Sequence, residues 1–288
     1  MKILNIPLSF KLFVLASMVL VLSACGFKTH YNNADWVLAG MVDDLVTLSE
    51  EQEMDVEKRL EQLIKWHRKS QLPIYSADLK EIKKYTEQGL NDENAEIIFA
   101  KFLSYWQALR DRVSPEMADL FLTLDDKQKK EILESFEEKN IDIAEEFAET
   151  TEAEKIENGG DKMVDNFSDW VGDLSPEQET LLRSWPVKFK SIHEDRMKFR
   201  LAWQAGLKKI LFNDELSNEQ KKEQLVQLIN TPEDYQTQEH RQKLVYNSKQ
   251  VKALMLAFSE TITAEQKTHV GERLDYFSNI FAELAVEE

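Results

Sequence analysis

Apolar residues recur along this chain every three or four positions, the repeat of one face of an α-helix. From Ser49 they fall at Val56, Leu60, Leu63 and Ile64, and from Asn91 at Ile98, Phe102, Tyr105, Trp106, Leu109 and Val113. Near the end they fall at Val270, Leu274, Phe277, Phe281 and Leu284. No window of similar length alternates apolar and polar positions on β-branched residues, so no strand is predicted. The pattern predicts an all-α protein, elongated or bundled, of about ten helices. With 8 Gly and 6 Pro in 288 residues the chain has few turns, which lengthens those helices. Ser114-Pro115, Ser175-Pro176 and Thr231-Pro232 each place a cap residue before a proline at the first helical position, where its missing N–H costs nothing. Pro73 is expected to end the second helix, and Pro186 to break a helical run after Trp185.

A short motif marks the helix starts. Leu48-Ser49-Glu50-Glu51-Gln52, Leu174-Ser175-Pro176-Glu177-Gln178 and Leu216-Ser217-Asn218-Glu219-Gln220 are close copies. Leu124-Asp125-Asp126-Lys127-Gln128 and Ile262-Thr263-Ala264-Glu265-Gln266 are looser ones. Each reads as a capping box. The oxygen of Ser49, Asp125, Ser175, Ser217 or Thr263 accepts from the amide three residues on, and Gln52, Gln128, Gln178, Gln220 or Gln266 reaches back to the cap N–H. The position after each Gln is polar, so the leading Leu or Ile has no staple partner there and is expected to pack on a neighbouring helix. The copies lie 76, 50, 42 and 46 residues apart, which suggests related helix pairs without a strict period; five good helix starts is the plainer reading.

The N-terminus departs from this pattern. Lys2 and Lys11 precede an apolar run, Leu12 to Leu22, broken only by Ser17, and Leu22-Ser23-Ala24-Cys25 follows. That run suits a signal peptide over residues 1–24 and is short for a bilayer-spanning helix. Leu22, Ser23, Ala24 and Cys25 resemble the lipobox of bacterial lipoproteins. The resemblance implies cleavage before Cys25, acylation (diacylglyceryl and palmitate-type chains) of that residue, and a membrane hold through two or three chains. Gly26 stands where an Asp often signals inner-membrane retention, so the resemblance implies the outer membrane, facing the periplasm. Residues 25–33 would form the lipidated tether.

The rest divides by charge and glycine content. Residues 131–165 carry 13 acidic and 3 basic side chains and end near Gly159-Gly160. A linker or hinge at 151–160 is expected, between helical halves at 34–150 and 161–288, although a continuous solvated helix also fits. Residues 187–212 carry seven basic and two acidic side chains among Phe189, Phe199, Trp203 and Phe212. This helix is expected to pack near the acidic segment; an anionic envelope polymer is the other reading. The whole chain, with 36 Lys+Arg against 53 Asp+Glu, has a formal net charge of −17, which argues against nucleic acid as a partner.

Candidate chemistry is sparse. One cysteine excludes a disulfide framework and multi-cysteine metal sites. His269 has only Glu265 at helical spacing, and no metal, cofactor or catalytic residue is assigned. Tyr31, Asn32, Asn33, Asp35 and Trp36 form a candidate binding patch, with Asn33 a helix cap and Trp36 either a core residue or an interfacial one. Asp43 and Asp44 follow. Trp66, His67 and Arg68, with Lys69, read as cations completing a helix dipole or as an anion site, with Pro73 and Tyr75 just beyond.

Two family resemblances rest on these residues. The Leu-Ser/Thr-x-x-Gln motifs resemble those of the Spy/CpxP family of helical periplasmic chaperones, which carries two. The order Tyr31 to Trp36, Asp43-Asp44, Leu48 to Gln52, Trp66 to Arg68, Leu72-Pro73-x-Tyr75 resembles the start of a family of uncharacterised proteobacterial lipoproteins known only as a domain of unknown function. The second resemblance implies an all-helical envelope lipoprotein and supplies no activity. The motif copies and the lack of catalytic signatures lead to the expectation of a non-enzymatic protein, chaperone-like or a scaffold, whose partner is an envelope protein or an unfolded client. The alternatives are a passive structural lipoprotein and a cell-wall enzyme of the helical lytic transglycosylase type. Glu134-Ser135 mimics the catalytic pair of that enzyme class, but its Gly-x-x-Gln and Ala-Tyr-Asn blocks are missing.

Overall fold

A computed structural model describes residues 26–287. The signal peptide expected at 1–24 and the lipobox residues Leu22, Ser23, Ala24 and Cys25 lie outside the described residues. Those described are all-α, without a strand. In chain order the helices are α1 (Phe27–Asn32), α2 (Ala34–Asp43), α3 (Glu50–Trp66), α4 (Leu72–Gln88), α5 (Asp92–Thr123) and α6 (Asp126–Glu149). Then come α7 (Glu152–Val171), α8 (Pro176–Ser184), α9 (His193–Leu211), α10 (Asn218–Asn230), α11 (Gln238–Ser259) and α12 (Ala264–Val286). Among the described residues, no helix is long and apolar enough to cross a membrane.

These helices form two compact units with interleaved segments. Unit 1 takes the described part of Met1–Lys65, Trp106–Glu149 and His193–Gln238; unit 2 takes Trp66–Tyr105, Thr150–Ile192 and Glu239–Glu288. This differs from two successive halves. The helix α5 itself contributes its first turns, to Tyr105, to unit 2 and the remainder to unit 1. Of the linker expected at 151–160, Thr151 is a helix cap and residues 152–160 are the start of α7, in which Gly160 is buried. Its glycines serve packing: a Cβ on Gly160 would stand 3.1 Å from the Arg183 Cα, and one on Gly159 would stand 3.2 Å from the Pro186 Cβ. They let α7 approach the chain around α8 at backbone distance.

Three prolines also sit differently from expectation. Pro73 does not end a helix: His67–Gln71 form a π-helical turn that joins α3 to α4, with Pro73 in the first turn of α4. A widened turn accommodates a residue that lacks an N–H and would crowd the preceding turn. Pro115 lies inside α5, not at its start. Interrupting the ladder there costs about 3 kcal/mol, offset by burying Ile98 before it and Ala118 and Phe121 after it. Thr231-Pro232 opens a short 3-10 turn (Pro232–Tyr235), while Pro176 does begin α8 and Pro186 does interrupt the run after Trp185.

Unit 1 is built on Val46, Leu48, Val56, Phe121, Leu124, Ile132, Phe136, Leu207, Ile210 and Leu228. The basic helix α9 packs on the acidic α6, where Arg200 Nε donates to Asn140 Oδ1 (2.9 Å) and Asn140 Nδ2 donates to Gln204 Oε1 (2.8 Å). Phe136 and Trp203 meet edge-on at 6.4 Å. Unit 2 holds one cluster around Val171, Leu182, Trp185, Leu254 and Phe258. Its α4 and α12 pack closely where small residues meet. The Ser278 hydroxyl donates to the Ser76 carbonyl at 2.9 Å, and the two hydroxyls lie 3.0 Å apart. The α12 stripe read from sequence faces inward, with Leu274, Phe277, Phe281 and Leu284 buried.

All five sequence motifs form capping boxes, from Ser49/Gln52 to Thr263/Gln266. Four of them also pair. In unit 1, Gln52 Nε2 donates to Gln128 Oε1 (3.0 Å) and Gln128 Nε2 donates back to Gln52 Oε1 (2.6 Å). In unit 2, Gln178 and Gln266 exchange the same two bonds at 2.9 Å each. Each amide also donates to the carbonyl two residues before its partner's cap: Gln52 to Thr123, Gln128 to Thr47, Gln178 to Thr261 and Gln266 to Asp173. Both units therefore repeat one two-fold arrangement of helix starts. Glutamate, the other usual residue here, has no N–H to donate and would set two carboxylates face to face. Gln220, in the fifth box, is exposed.

Candidate functional site

The residues singled out near the N-terminus belong to unit 1, and those from Trp66 to Tyr75 belong to unit 2. In unit 1, Tyr31 is buried with its ring 6.0 Å from that of Phe27. Asn33 precedes α2, but its side chain makes no cap bond and donates back to the Thr29 carbonyl at 2.6 Å. Asn32, Asp35, Asp43 and Asp44 are exposed, and Trp36 is 78% exposed rather than a core residue.

In unit 2 the π-helical turn and the start of α4 bring Trp66, His67 and Tyr75 together. The dipole-capping reading of Trp66, His67 and Arg68 is overturned, since the helix does not end there. Arg68 reaches toward Glu287 at 3.9 Å, and Pro73 is exposed. Five side chains form a row with successive ring centroids near one another. Trp66 to His67 is 6.3 Å, His67 to Tyr75 is 5.5 Å, Tyr75 to Tyr105 is 4.3 Å, and Tyr105 to Phe102 is 5.7 Å. Phe281 of α12 backs it, 6.1 Å from Tyr75.

A polar network flanks the row. Tyr105 Oη donates to Asp78 Oδ2 at 2.5 Å, and Lys101 Nζ contacts Asp78 Oδ1 at 2.5 Å and Glu81 Oε2 at 3.1 Å. Tyr85 donates to Glu81. Burial lowers His67 to about 4 and raises Tyr75 to about 12, so both rings are neutral near pH 7. Burial and the bond to Asp78 also hold Tyr105 in its phenol form. The Tyr85 hydrogen bond, then those of Lys101, keep Glu81 below the usual carboxylate range. The row is thus an uncharged aromatic strip with a charged rim. Its outer end is open: Phe102 is 46% and the adjacent Leu103 70% exposed, with Ile74 of α4 also exposed.

Sequence reasoning identified Trp66, His67 and Tyr75 as one block and placed Phe102 and Tyr105 on a helical stripe, without joining the two. Asp78, Glu81, Tyr85 and Lys101 were missed, and no local signal connects α4 to α5. Elsewhere, Glu134 is exposed on α6 and the Ser135 hydroxyl donates to the Leu45 carbonyl at 3.0 Å. His269 lies against Gly172, whose φ of +80° marks the end of α7. Among the described residues, no group of three or more His, Cys, Asp or Glu is placed to hold a metal ion.

No curated protein and no solved structure matches the chain. Residues 44–241 match the family model described as Family of unknown function (DUF6279), spanning the whole aromatic row and its rim, and the chain belongs to that family.

Proposed function

We propose that the protein is a lipid-anchored component of the bacterial envelope, held at the periplasmic face of the outer membrane by acyl chains on Cys25. It works by binding an extended apolar segment of an envelope protein or unfolded client. The binding reading rests on the aromatic row of unit 2. A strip of Trp, His, Tyr and Phe that is buttressed from behind and open at Phe102 and Leu103 offers large, rigid, amphipathic contact area, the composition enriched in the cores of protein interfaces. The rim of Asp78, Glu81 and Lys101 supplies polar contacts to a peptide backbone. The anchor reading rests on the lipobox at the only cysteine. No cofactor is required.

The test uses the chain from Gly26 and dithiothreitol-reduced insulin as the aggregating client. Wild type should suppress aggregation at near-stoichiometric amounts, and Phe102→Ser combined with Leu103→Asp should abolish most of that effect. Ile141→Asp, at another exposed apolar position, should leave it unchanged. Equal suppression by all three proteins would sink the assignment to the row.

A further inference from the structure

Helix α2 is unusual in what it leaves uncovered. Ala34, Trp36, Val37, Leu38, Ala39, Met41 and Val42 make it mostly apolar over 10 residues, yet none of them is buried. Val42 packs partly against the core of unit 1. Trp36, Val37 and Gly40, at helical spacing, form an exposed face, with Trp36 at 78% and Val37 at 40%. A helix this short is marginal in water without an apolar surface to lie on.

We infer that this face lies on the lipid surface, with Trp36 at headgroup depth beside the acylated Cys25. The inference rests on the anchor reading above. The chain length supports it. Phe27–Asn32 and Ala34–Asp43 are helical, rising about 1.5 Å per residue, and the few other steps span at most about 3.6 Å each. Trp36 therefore stands no more than about 25 Å from the acylated residue. Its ring combines an apolar body with an N–H, the combination that concentrates at membrane–water interfaces. Asp35, Asp43 and Asp44 against Lys28 make the segment acidic. The surface it suits is zwitterionic, since anionic headgroups would repel it.

The experiment takes the full chain purified from membranes, confirms its acylation by intact mass, and reconstitutes it into phosphatidylcholine vesicles with plain or brominated acyl chains. Tryptophan emission is compared between wild type and Trp36→Phe. Bromination should quench a component of wild-type emission, up to about one tryptophan in six, that is missing from Trp36→Phe. Adding anionic lipid should reduce that component. An intact mass without acyl chains would overturn the anchor itself. Acylated protein with identical quenching in wild type and variant would overturn the placement of Trp36 alone. Loss of a dimer on Trp36→Asp, with no quenching difference, would do so in favour of a second copy as occupant.

Discussion

The paired glutamines make a demanding prediction, because the same substitution should be severe at one and nearly silent at the other of two equivalent sequence positions. Gln178 is 1% exposed, and its Nε2 donates to Gln266 Oε1 at 2.9 Å and to the Thr261 carbonyl at 3.1 Å. Gln178→Glu removes both donors and turns a carboxylate toward two acceptors. Gln266 Oε1 still accepts from the Thr263 N–H, but taking this donor from the Thr261 carbonyl costs about 1–3 kcal/mol, and setting a buried charge against both acceptors adds to it. The expected loss is about 3–5 kcal/mol, or roughly 6–20 °C in Tm. At exposed Gln220 the same change keeps the capping bond and adds a negative charge at a helix N-terminus, so stability should shift by no more than about 0.5 kcal/mol. The buried carboxylate introduced by Gln178→Glu can recover a donor by protonating, so its folded-state pKa lies above its unfolded value. The penalty is therefore smallest below the unfolded pKa and grows as pH rises through the folded one. Thermal unfolding followed by circular dichroism, with both variants at neutral pH and near pH 4, checks each part. Equal stability of Gln178→Glu and Gln220→Glu at neutral pH would refute the paired arrangement.

Other expectations follow from single residues. With its pKa lowered from 6.5 to about 4 by burial, His67 contributes stability that is present above its unfolded pKa and lost as pH falls through 6.5 toward 4. The loss amounts to about 3 kcal/mol, and urea midpoints across that range should flatten in His67→Gln. Tyr105→Phe deletes the bond to Asp78 and should cost about 1–3 kcal/mol by the same measurement. Gly206→Ala should destabilise despite alanine's helix propensity, since its Cβ would stand 2.7 Å from Tyr235. Gly40→Ala, with nothing within 4 Å of the new Cβ, should instead stabilise by about 0.5–1 kcal/mol in the same melts.

Local chemistry was legible in the sequence. The Ser/Thr/Asp-x-x-Gln boxes and the α12 stripe from Leu274 to Leu284 depend on residues a few positions apart, and both form as read. The failures share one cause: tertiary packing decided between two local meanings. Gly159-Gly160 could mark a hinge or a close helix approach, and the backbone of Arg183 against Gly160 makes it the second. Pro115 could start a helix or interrupt one, and the buried residues on both sides of it carry α5 through. The stripe through Phe102 and Tyr105 gave a helix face without saying that its Phe102 end stays open. Gln52 meets Gln128 across 76 residues and Gln178 meets Gln266 across 88. Nothing in the spacing of the motifs identified these partners.

The most direct test of the binding account is photo-crosslinking in living cells from residue 103, beside the open end of the row, with residue 220 as the exposed control. A light-activated phenylalanine analogue at 103 should yield adducts with envelope proteins, and these should disappear when Phe102→Ser is added. Absence of adducts from 103, or the same adducts from 103 and 220, would contradict it.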